Sequence, residues 1–245
     1  MCSILGIIDF DRKDHSKNEI INKINRDLSH RGPDDEGYFS DEYISLAFNR
    51  LSILDLTNGN QPVFKQHIVT IFNGEIYNFK EIKKELESFG YNFKSNSDSE
   101  IIASAFLQWG IKCVEKFNGM FSIAIYDRKN YKIYLIRDRV GIKPLYYSYF
   151  NNSLIFCSEI KGIIKYPGFK KSVNFNALSS YLSFRYPMGQ SENFFKNIKK
   201  ITPGSYVEIT IKKKNIELKK YWSIPEIKSS KNYDEDYYFQ KLEKL

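Results

Sequence analysis

The cysteine at position 2 is the residue of this sequence best suited to covalent chemistry. An initiator methionine is usually removed before a small residue, and removal of Met1 would give Cys2 a free α-amino group beside its own thiol. Such an amine has an unperturbed pKa of roughly 7.7–8.0, so it could accept the thiol proton near neutral pH. Position alone favours the simpler alternative, in which a small residue merely happens to follow Met1.

A thiol that attacks an amide also needs donors for the developing oxyanion and groups that hold the rest of the substrate. Arg50 ends one predicted strand, Asn73-Gly74-Glu75 ends another, and Asp98 opens a predicted helix. Each has an ordinary structural alternative. Arg50 could form a surface salt bridge, Asn-Gly is a common hairpin turn, and an aspartate favours a helix N-terminus through the helix dipole. We assign no catalytic histidine.

The elements that must position these residues follow from hydrophobic periodicity. Strands are predicted over 3–9, 44–51, 68–72, 120–126, 132–136, 145–149, 154–157, 206–211 and 216–222. Helices are predicted over 18–28, from Asn78 to a stop at Gly90, after Ser97, over 177–184 and over 233–245, with Asn78/Glu81 and Ser97/Glu100 as capping boxes. Residues 30–37 are dense in turn formers and predict a loop. The order indicates an α+β protein with two antiparallel sheets and helices packed outside.

The composition of the chain argues against several classes of function. The chain has 245 residues and a formal charge of +8, but its lysines are scattered, and the one triplet, residues 212–214, fits an exposed hairpin tip. We therefore expect no nucleic-acid partner, and no run is long enough to predict a membrane span. The three cysteines are widely spaced, without a CxxC, which argues against a disulfide framework or a metal site and for a reducing cytoplasm. We expect Cys113 and Cys157 to be buried.

Several segments occur in order and together resemble one family. They are Met1-Cys2-Ser3-Ile4-Leu5-Gly6, the loop 30–37, Phe48-Asn49-Arg50-Leu51-Ser52, Phe72-Asn73-Gly74-Glu75-Ile76, Ser97-Asp98-Ser99-Glu100, Asn118-Gly119-Met120-Phe121, residues 137–147, Ser158-Glu159-Ile160-Lys161 and Tyr221-Trp222. The set is similar to the N-terminal domain of glutamine-hydrolysing asparagine synthetases, a class II glutamine amidotransferase. The resemblance covers roughly residues 1–225 and implies the αββα sandwich of N-terminal-nucleophile hydrolases.

The resemblance implies a role for each matching residue. Cys2 would attack the side-chain carbonyl of glutamine, and the side chain of Asn73 with the N–H of Gly74 would form the oxyanion hole. Arg50 would bind the substrate α-carboxylate, and Asp98 and Glu75 its α-ammonium group. Backbone groups would line the glutamine pocket at Leu51, Ser52, Ile53 and Leu54. Gly74 is expected to be glycine because backbone lies close to the ligand there.

The family also has a synthetase domain, whose Ser-Gly-Gly-x-Asp-Ser loop does not occur in this sequence. We expect residues 1–225 to form the glutaminase domain, and 226–245 to be a linker and the start of a truncated synthetase domain. No metal or cofactor is expected here; ATP and magnesium belong to the synthetase domain. The implied partner is that domain or subunit, with homodimerisation left open. The alternative function is a non-catalytic remnant or partner-binding subunit.

Overall fold

The structure is a computed structural model that describes residues 1–11, 17–52, 59–189, 191–226 and 235–244. Within these ranges the strands are β1 (Ser3–Asp9), β2 (Asp35–Ser40), β3 (Ile44–Arg50), β4 (Val63–Lys65), β5 (Ile68–Ile76), β6 (Gly119–Asp127), β7 (Lys132–Arg137), β8 (Tyr146–Phe150), β9 (Ser153–Cys157), β10 (Lys199–Lys200), β11 (Ser205–Thr210) and β12 (Asn215–Lys220). The helices are α1 (Lys17–Arg26), α2 (Phe79–Ser88), α3 (Ser99–Trp109), α4 (Cys113–Lys116), α5 (Ile160–Ile164), α6 (Phe175–Phe184) and α7 (Glu235–Leu242).

The described strands form two six-stranded sheets. The first has the order β10-β8-β9-β1-β3-β2, and the second has the order β12-β11-β7-β6-β5-β4. Each neighbouring pair is antiparallel. The strand that follows Cys2 is therefore an interior strand of the first sheet, paired with β3 on one side and β9 on the other.

The largest apolar cluster lies between the two sheets and draws on both, with Ile4 and Phe48 from the first and Ile71 and Tyr126 from the second. Along β1 the side chains alternate, so that Ile4 and Ile8 enter this cluster while Leu5 and Ile7 enter a separate one. Full burial of one such aliphatic side chain is worth about 1.5–3 kcal/mol, which makes β1 one of the most firmly held strands of the molecule.

Helices cover the outer faces of both sheets. Ile21 and Ile24 of α1 pack with Leu5 and Ile7 on the outer face of the first sheet. On the second sheet, a cluster joins α2 and α3 to β5, β6 and β7, and its fully buried members include Leu86, Ile101 and Ile123. The four layers confirm the predicted α+β arrangement of two antiparallel sheets with helices outside.

The prediction of a loop over 30–37 is wrong for the second half of that range. Residues 29–31 form a short 3₁₀ turn, but β2 begins at Asp35 and pairs with β3, with Asp35 opposite Arg50. Tertiary pairing overrides the turn-rich composition here. Residue 37 of this strand is a glycine because a Cβ there would lie 1.7 Å from the carbonyl oxygen of Gln61.

Both predicted capping boxes are also wrong. Asn78 precedes α2, but its side chain bonds the neighbouring loop, donating to Lys116 O at 3.0 Å and accepting from Asn118 N at 2.9 Å. Glu100 accepts from the backbone N–H groups of Lys94 and Ser95 instead of reaching Ser97. In each case a nearby loop offers the side chain donors or acceptors that the helix terminus would otherwise supply.

Other predictions are confirmed. Gly90 follows α2 with a φ of +89°, a conformation that glycine adopts without strain. The lysine triplet lies at the tip between β11 and β12, and Cys113 and Cys157 are buried. Helix α7 forms within the predicted 233–245 segment, whereas most of the predicted linker lies outside the described residues. The domain boundary at 225 therefore stays a prediction. No helix in the described ranges combines the length and apolarity needed to cross a membrane.

Candidate active site

The candidate site lies where β1 starts and β3 ends. The antiparallel register places Ser3 opposite Asn49, so Cys2 lies beside the junction of Arg50 and Leu51. The backbone N–H of Leu51 points at the Cys2 sulfur, with a nitrogen–sulfur distance of 3.3 Å, and the Leu51 carbonyl oxygen is 3.6 Å from the same sulfur. These contacts hold the thiol beside the residue that follows β3.

A small pocket opens next to this thiol, with a cavity volume of about 50 Å³. That is room for a few water molecules, which suits a narrow amide side chain better than a nucleotide. Five separate segments among the described residues contribute to its wall. Among the residues predicted from the sequence, the wall contains Cys2, Arg50, Leu51, Gly74, Glu75 and Asp98.

Arg50 brings a buried positive charge to this pocket. Its side chain is 5% exposed, and Nη1 donates to Asn60 Oδ1 at 3.1 Å. A guanidinium has five N–H donors in a rigid planar arrangement that matches a carboxylate. Arg50 is therefore a buried residue of the pocket wall and not the surface residue of the alternative.

Asn73 lies within β5, next to the pocket wall, and is 1% exposed. Its Nδ2 is buried and has no hydrogen-bond partner among the described residues. An unsatisfied buried donor costs about 1–3 kcal/mol, so a protein retains one where it has another use. The hairpin-turn alternative for Asn73-Gly74 is also wrong, because β5 continues to Ile76 and pairs with β6 along its whole length.

Gly74 is required by strand packing. A Cβ at this position would lie 2.1 Å from the carbonyl oxygen of Met120 and 2.7 Å from the Cα of Phe121, both on β6. The structure gives a reason for glycine besides the expected close approach to ligand, namely the close approach of the neighbouring strand. Gly74 still lines the pocket.

Asp98 supplies a buried carboxylate at the start of α3. It is 5% exposed, and its Oδ2 accepts the Ile76 N–H at 2.9 Å. Burial, assisted by the nearby charge of Glu75, raises the pKa of Asp98 to about 6 against the lowering effect of the Ile76 hydrogen bond. The site therefore places two carboxyl groups, those of Asp98 and Glu75, in the wall of one small pocket.

Ser52, also predicted to line the pocket, behaves differently. The backbone N–H of Ser52 donates to Asp34 Oδ2 at 2.7 Å, and Ser52 is not part of the pocket wall formed by the described residues. The side chain of Asp34 offers a strong acceptor, which holds this stretch of backbone toward the loop before β2. Ile53 and Leu54 lie outside the described residues.

Two polar residues that the sequence did not single out contribute to the site. Gln61 lines the pocket. Its side-chain amide binds the backbone of β5 as a neighbouring strand would, since it accepts from Phe72 N at 2.6 Å and donates to Phe72 O at 3.2 Å. Arg31 donates from Nε to the carbonyl oxygen of Cys2 at 3.0 Å. Arg31 belonged to a quoted segment without an assigned role, whereas Gln61 carried no sequence signal.

Met1 precedes Cys2 in the structure, so the α-amino group here belongs to Met1 and the nitrogen of Cys2 is a peptide nitrogen. The Met1 side chain is 56% exposed, and its sulfur lies 3.5 Å from Lys143 Nζ. No group of three or more metal-binding side chains occurs in the parts of the chain that the structure describes. The expectation that the chain holds no metal or cofactor stays a prediction.

Comparison with solved structures supports the architecture. The chain superposes on glutamine phosphoribosylpyrophosphate amidotransferase of B. subtilis, complexed with ADP and GMP, with a TM-score of 0.62 and 14% identity. It superposes on an allosteric regulatory enzyme of purine biosynthesis with a TM-score of 0.66 and 15% identity. Each match covers 90% of this chain and 49% of the other. The likeness concerns the fold alone, and it supports the expected sandwich of two antiparallel sheets with helices outside.

Comparison with curated proteins gives closer matches. The chain is 40% identical over 244 residues to glutamine-hydrolysing asparagine synthetase 2 of Bacillus subtilis strain 168, covering 96% of this chain and 32% of that protein. It is 36% identical over 251 residues to a putative glutamine-hydrolysing asparagine synthetase 2 of Methanocaldococcus jannaschii, covering 93% of this chain and 48% of that protein. The chain thus spans about a third to a half of the length of these relatives.

A sequence profile described as a glutamine amidotransferase domain matches residues 1–222. This range contains β1 to β12, both sheets and every residue of the pocket wall described above. The chain therefore belongs to the glutamine amidotransferase domain family.

Proposed function

We propose that this chain hydrolyses the side-chain amide of glutamine to glutamate and ammonia, with Cys2 as nucleophile once Met1 has been removed. The observation that carries the proposal is the convergence of Cys2, Arg50 and Asp98 on one small pocket, from segments far apart in sequence. A thiol, a carboxylate-binding cation and an ammonium-binding anion are the three groups that an α-amino acid with a side-chain amide would require.

The chemistry divides into two steps. The α-amine of processed Cys2 takes the thiol proton, and sulfur adds to the δ-carbonyl carbon to form a tetrahedral oxyanion. Asn73 Nδ2 and the Gly74 N–H are proposed to donate to that oxygen, and the buried, unsatisfied Nδ2 supports this role. The carbon–nitrogen bond then breaks, the proton held by the α-amine leaves with ammonia, and a thioester remains. Water activated by the same amine hydrolyses the thioester and releases glutamate.

Arg50 and the two carboxylates would select the substrate. The Arg50 guanidinium is proposed to bind the α-carboxylate of glutamine, and Asp98 and Glu75 its α-ammonium group. This leaves the side-chain amide of glutamine as the only part free to reach Cys2. Leu51 belongs to the pocket wall, which supports its proposed backbone contact. The proposed contacts of Ile53 and Leu54 lie in the part of the chain that the structure does not describe.

The ammonia is proposed to serve ATP-dependent amidation of aspartate or a related carboxylate. This follows from the names of the similar proteins, which are glutamine-hydrolysing asparagine synthetases, and from the share of their length that this chain matches. The ATP, the magnesium ions and the ammonia acceptor would be bound by a synthetase domain or subunit that is the partner of the glutaminase domain.

The test is ammonia release from glutamine by purified, Met1-free protein and by Cys2→Ala. We expect steady ammonia and glutamate release from the first and none above background from the second. Equal release by both would reject the proposal and favour the alternative of a non-catalytic, partner-binding subunit. Intact-mass measurement of each preparation controls for methionine removal, since a retained Met1 would place the α-amine on the wrong residue.

A further inference from the structure

The nucleophile lies outside the hydrogen-bond ladder of its own strand. The pairing of β1 with β3 begins at Ser3, so Cys2 is one residue beyond it. Chain ends fray unless other groups hold them. The described residues hold Cys2 through its sulfur, by the Leu51 N–H at 3.3 Å, and through its carbonyl oxygen, by Arg31 Nε at 3.0 Å. The second contact fixes the peptide plane that follows the α-amine.

Arg31 is in turn held by Glu159. The Arg31 side chain is buried, and its Nη1 lies 3.1 Å from Glu159 Oε1, which also contacts His30 Nε2 at 3.0 Å. Burial alone would raise the pKa of Glu159, but the hydrogen bonds from His30 and Arg31 outweigh it and lower that pKa. Glu159 is therefore ionised at neutral pH, and its bond to Arg31 is a charge-assisted one of the stronger kind.

The backbone before Glu159 is fixed to the first residues of the chain. Ser158 N donates to Ile4 O at 2.9 Å, and Ile4 N donates to Ser158 Oγ at 3.0 Å. Both bonds extend the pairing of β1 with β9 past its last strand residue. The position of Glu159 is thus tied to β1 itself, and the carboxylate is a fixed point from which Arg31 reaches back to Cys2.

We infer that Glu159 is a positioning residue for the nucleophile, acting through Arg31. This inference rests on the proposed function. Glu159 orients the guanidinium, the guanidinium fixes the carbonyl group of Cys2, and the fixed carbonyl keeps the α-amine within reach of the thiol proton and of the attacking water. The inference also gives a role to Ser158 and Glu159, which belong to a segment that carries the family resemblance but had no assigned function.

The expected effect is on turnover more than on binding. Glu159 does not belong to the pocket wall formed by the described residues, so its loss should change the KM for glutamine less than twofold. A misplaced nucleophile lowers kcat, and a displacement near 1 Å costs up to about 100-fold. We therefore expect Glu159→Ala to lower kcat about 10- to 100-fold. Glu159→Gln keeps an acceptor for Arg31 without the charge, and should fall between Glu159→Ala and the unaltered protein.

Glu208→Ala is the matched control. Glu208 is also a partly buried glutamate that bridges two basic side chains, Lys132 and Lys219, each at 2.6 Å, but it lies on β11 away from the pocket. We expect this variant to lose stability as Glu159→Ala does and to keep its kcat. A general effect of removing a buried ion pair would lower kcat in both variants alike.

A double variant tests the route through Arg31. If Glu159 acts only by holding Arg31, then Arg31→Ala and Arg31→Ala combined with Glu159→Ala should have the same kcat. Two independent losses would instead multiply. A multiplied loss would overturn the inferred route.

All measurements use protein shown by intact mass to lack Met1 and by thermal unfolding to be folded. In active protein, a kcat for Glu159→Ala within twofold of the unaltered chain would overturn the inference and leave the proposed function standing. Should Glu159→Ala fail to fold, Glu159→Gln decides: a reduced kcat is expected, and a kcat equal to that of the unaltered chain would overturn the inference. If the unaltered, processed chain hydrolyses no glutamine, the proposed function fails first and the inference falls with it.

Discussion

The backbone N–H of Leu51 is directed at the sulfur of Cys2, 3.3 Å away, although the two residues are 49 positions apart in the sequence. This contact joins the start of β1 to the residue that follows β3. It places the thiol in the wall of a pocket whose charged groups, among the described residues, are Arg50, Glu75 and Asp98. The predictions below ask whether each part of this arrangement has the role proposed for it.

The first prediction concerns the α-amine. A variant carrying one glycine between Met1 and Cys2 should lose glutamine hydrolysis, because the amine would then belong to another residue and could not take the thiol proton. The thiol should remain accessible, since the Leu51 contact is unchanged. Ammonia release and alkylation of Cys2 by iodoacetamide, measured on the same sample, separate the two effects. Continued hydrolysis at the normal rate would show that the amine is not the base.

The second prediction concerns Asn73. Removing one donor of an oxyanion hole typically lowers kcat by about 10²–10³, and we expect a loss of this size for Asn73→Ala. Stability should change little, because the variant also removes a buried nitrogen that has no partner among the described residues. Steady-state kinetics and urea unfolding of the same preparation test both halves. A large loss of stability with kcat intact would assign Asn73 a structural role.

The third prediction concerns Asp98, whose pKa burial raises to about 6 from an ordinary value of 3.8. Below pH 6 the carboxyl gains a proton and loses its attraction for the substrate ammonium group. The KM for glutamine should therefore rise as the pH falls through 6. In Asp98→Asn the KM should be high and nearly independent of pH over the same range. A wild-type KM that stays flat between pH 5 and 8 would contradict the role of Asp98.

The same pKa predicts a stability difference with a definite sign. Because the folded state raises this pKa, the ionised carboxylate opposes folding, and its cost appears as the pH rises from about 4 to about 6. Asp98→Asn should thus be more stable than the unaltered protein at pH 8, by about 2–3 kcal/mol for a shift of this size. The difference should vanish near pH 4. Urea unfolding at both pH values measures it, and a variant less stable at pH 8 would contradict the sign.

The fourth prediction compares two glycines. Gly74→Ala would place a Cβ 2.1 Å from the Met120 carbonyl oxygen, so the β5–β6 pairing must shift and both stability and hydrolysis should fall. Gly90→Ala meets no atom within 4 Å and incurs only the strain of its positive φ, about 1–2 kcal/mol. Thermal unfolding of the pair tests whether strand packing is the reason for Gly74. Equal losses would argue that it is not.

The sequence predicted those elements whose hydrophobic periodicity is strong. It failed for elements whose secondary structure depends on pairing with another strand. β1, β6 and α2 follow from apolar patterns, because those patterns record which face is buried. β2 was missed because its residues are turn formers that become a strand by pairing with β3. The capping boxes at Asn78 and Ser97 failed because other backbone groups bind the side chains that would have capped the helices. For Asn78 these groups are 38 or more residues away in sequence, and for Glu100 they lie in the short loop just before the helix.

The candidate site divides in the same way. Cys2, Arg50, Gly74, Glu75 and Asp98 were all named from the sequence, and the structure brings them to one pocket. Gln61 and Glu159 were given no role, because their contacts with Phe72 and Arg31 join residues that only the folded sheets bring together. Ser52 was placed in the pocket by resemblance, but its backbone is bound by Asp34 instead.

The burial of β1 on both faces has a consequence for how the site is lost on heating. The amide hydrogens of Ile4 to Ile8 lie in an interior strand between two apolar clusters, so they should exchange with solvent only when the whole molecule opens. Cys2, the proposed nucleophile, is attached directly to this segment. Its geometry should therefore persist up to the melting transition and then disappear cooperatively, without an earlier stage in which the site alone comes apart.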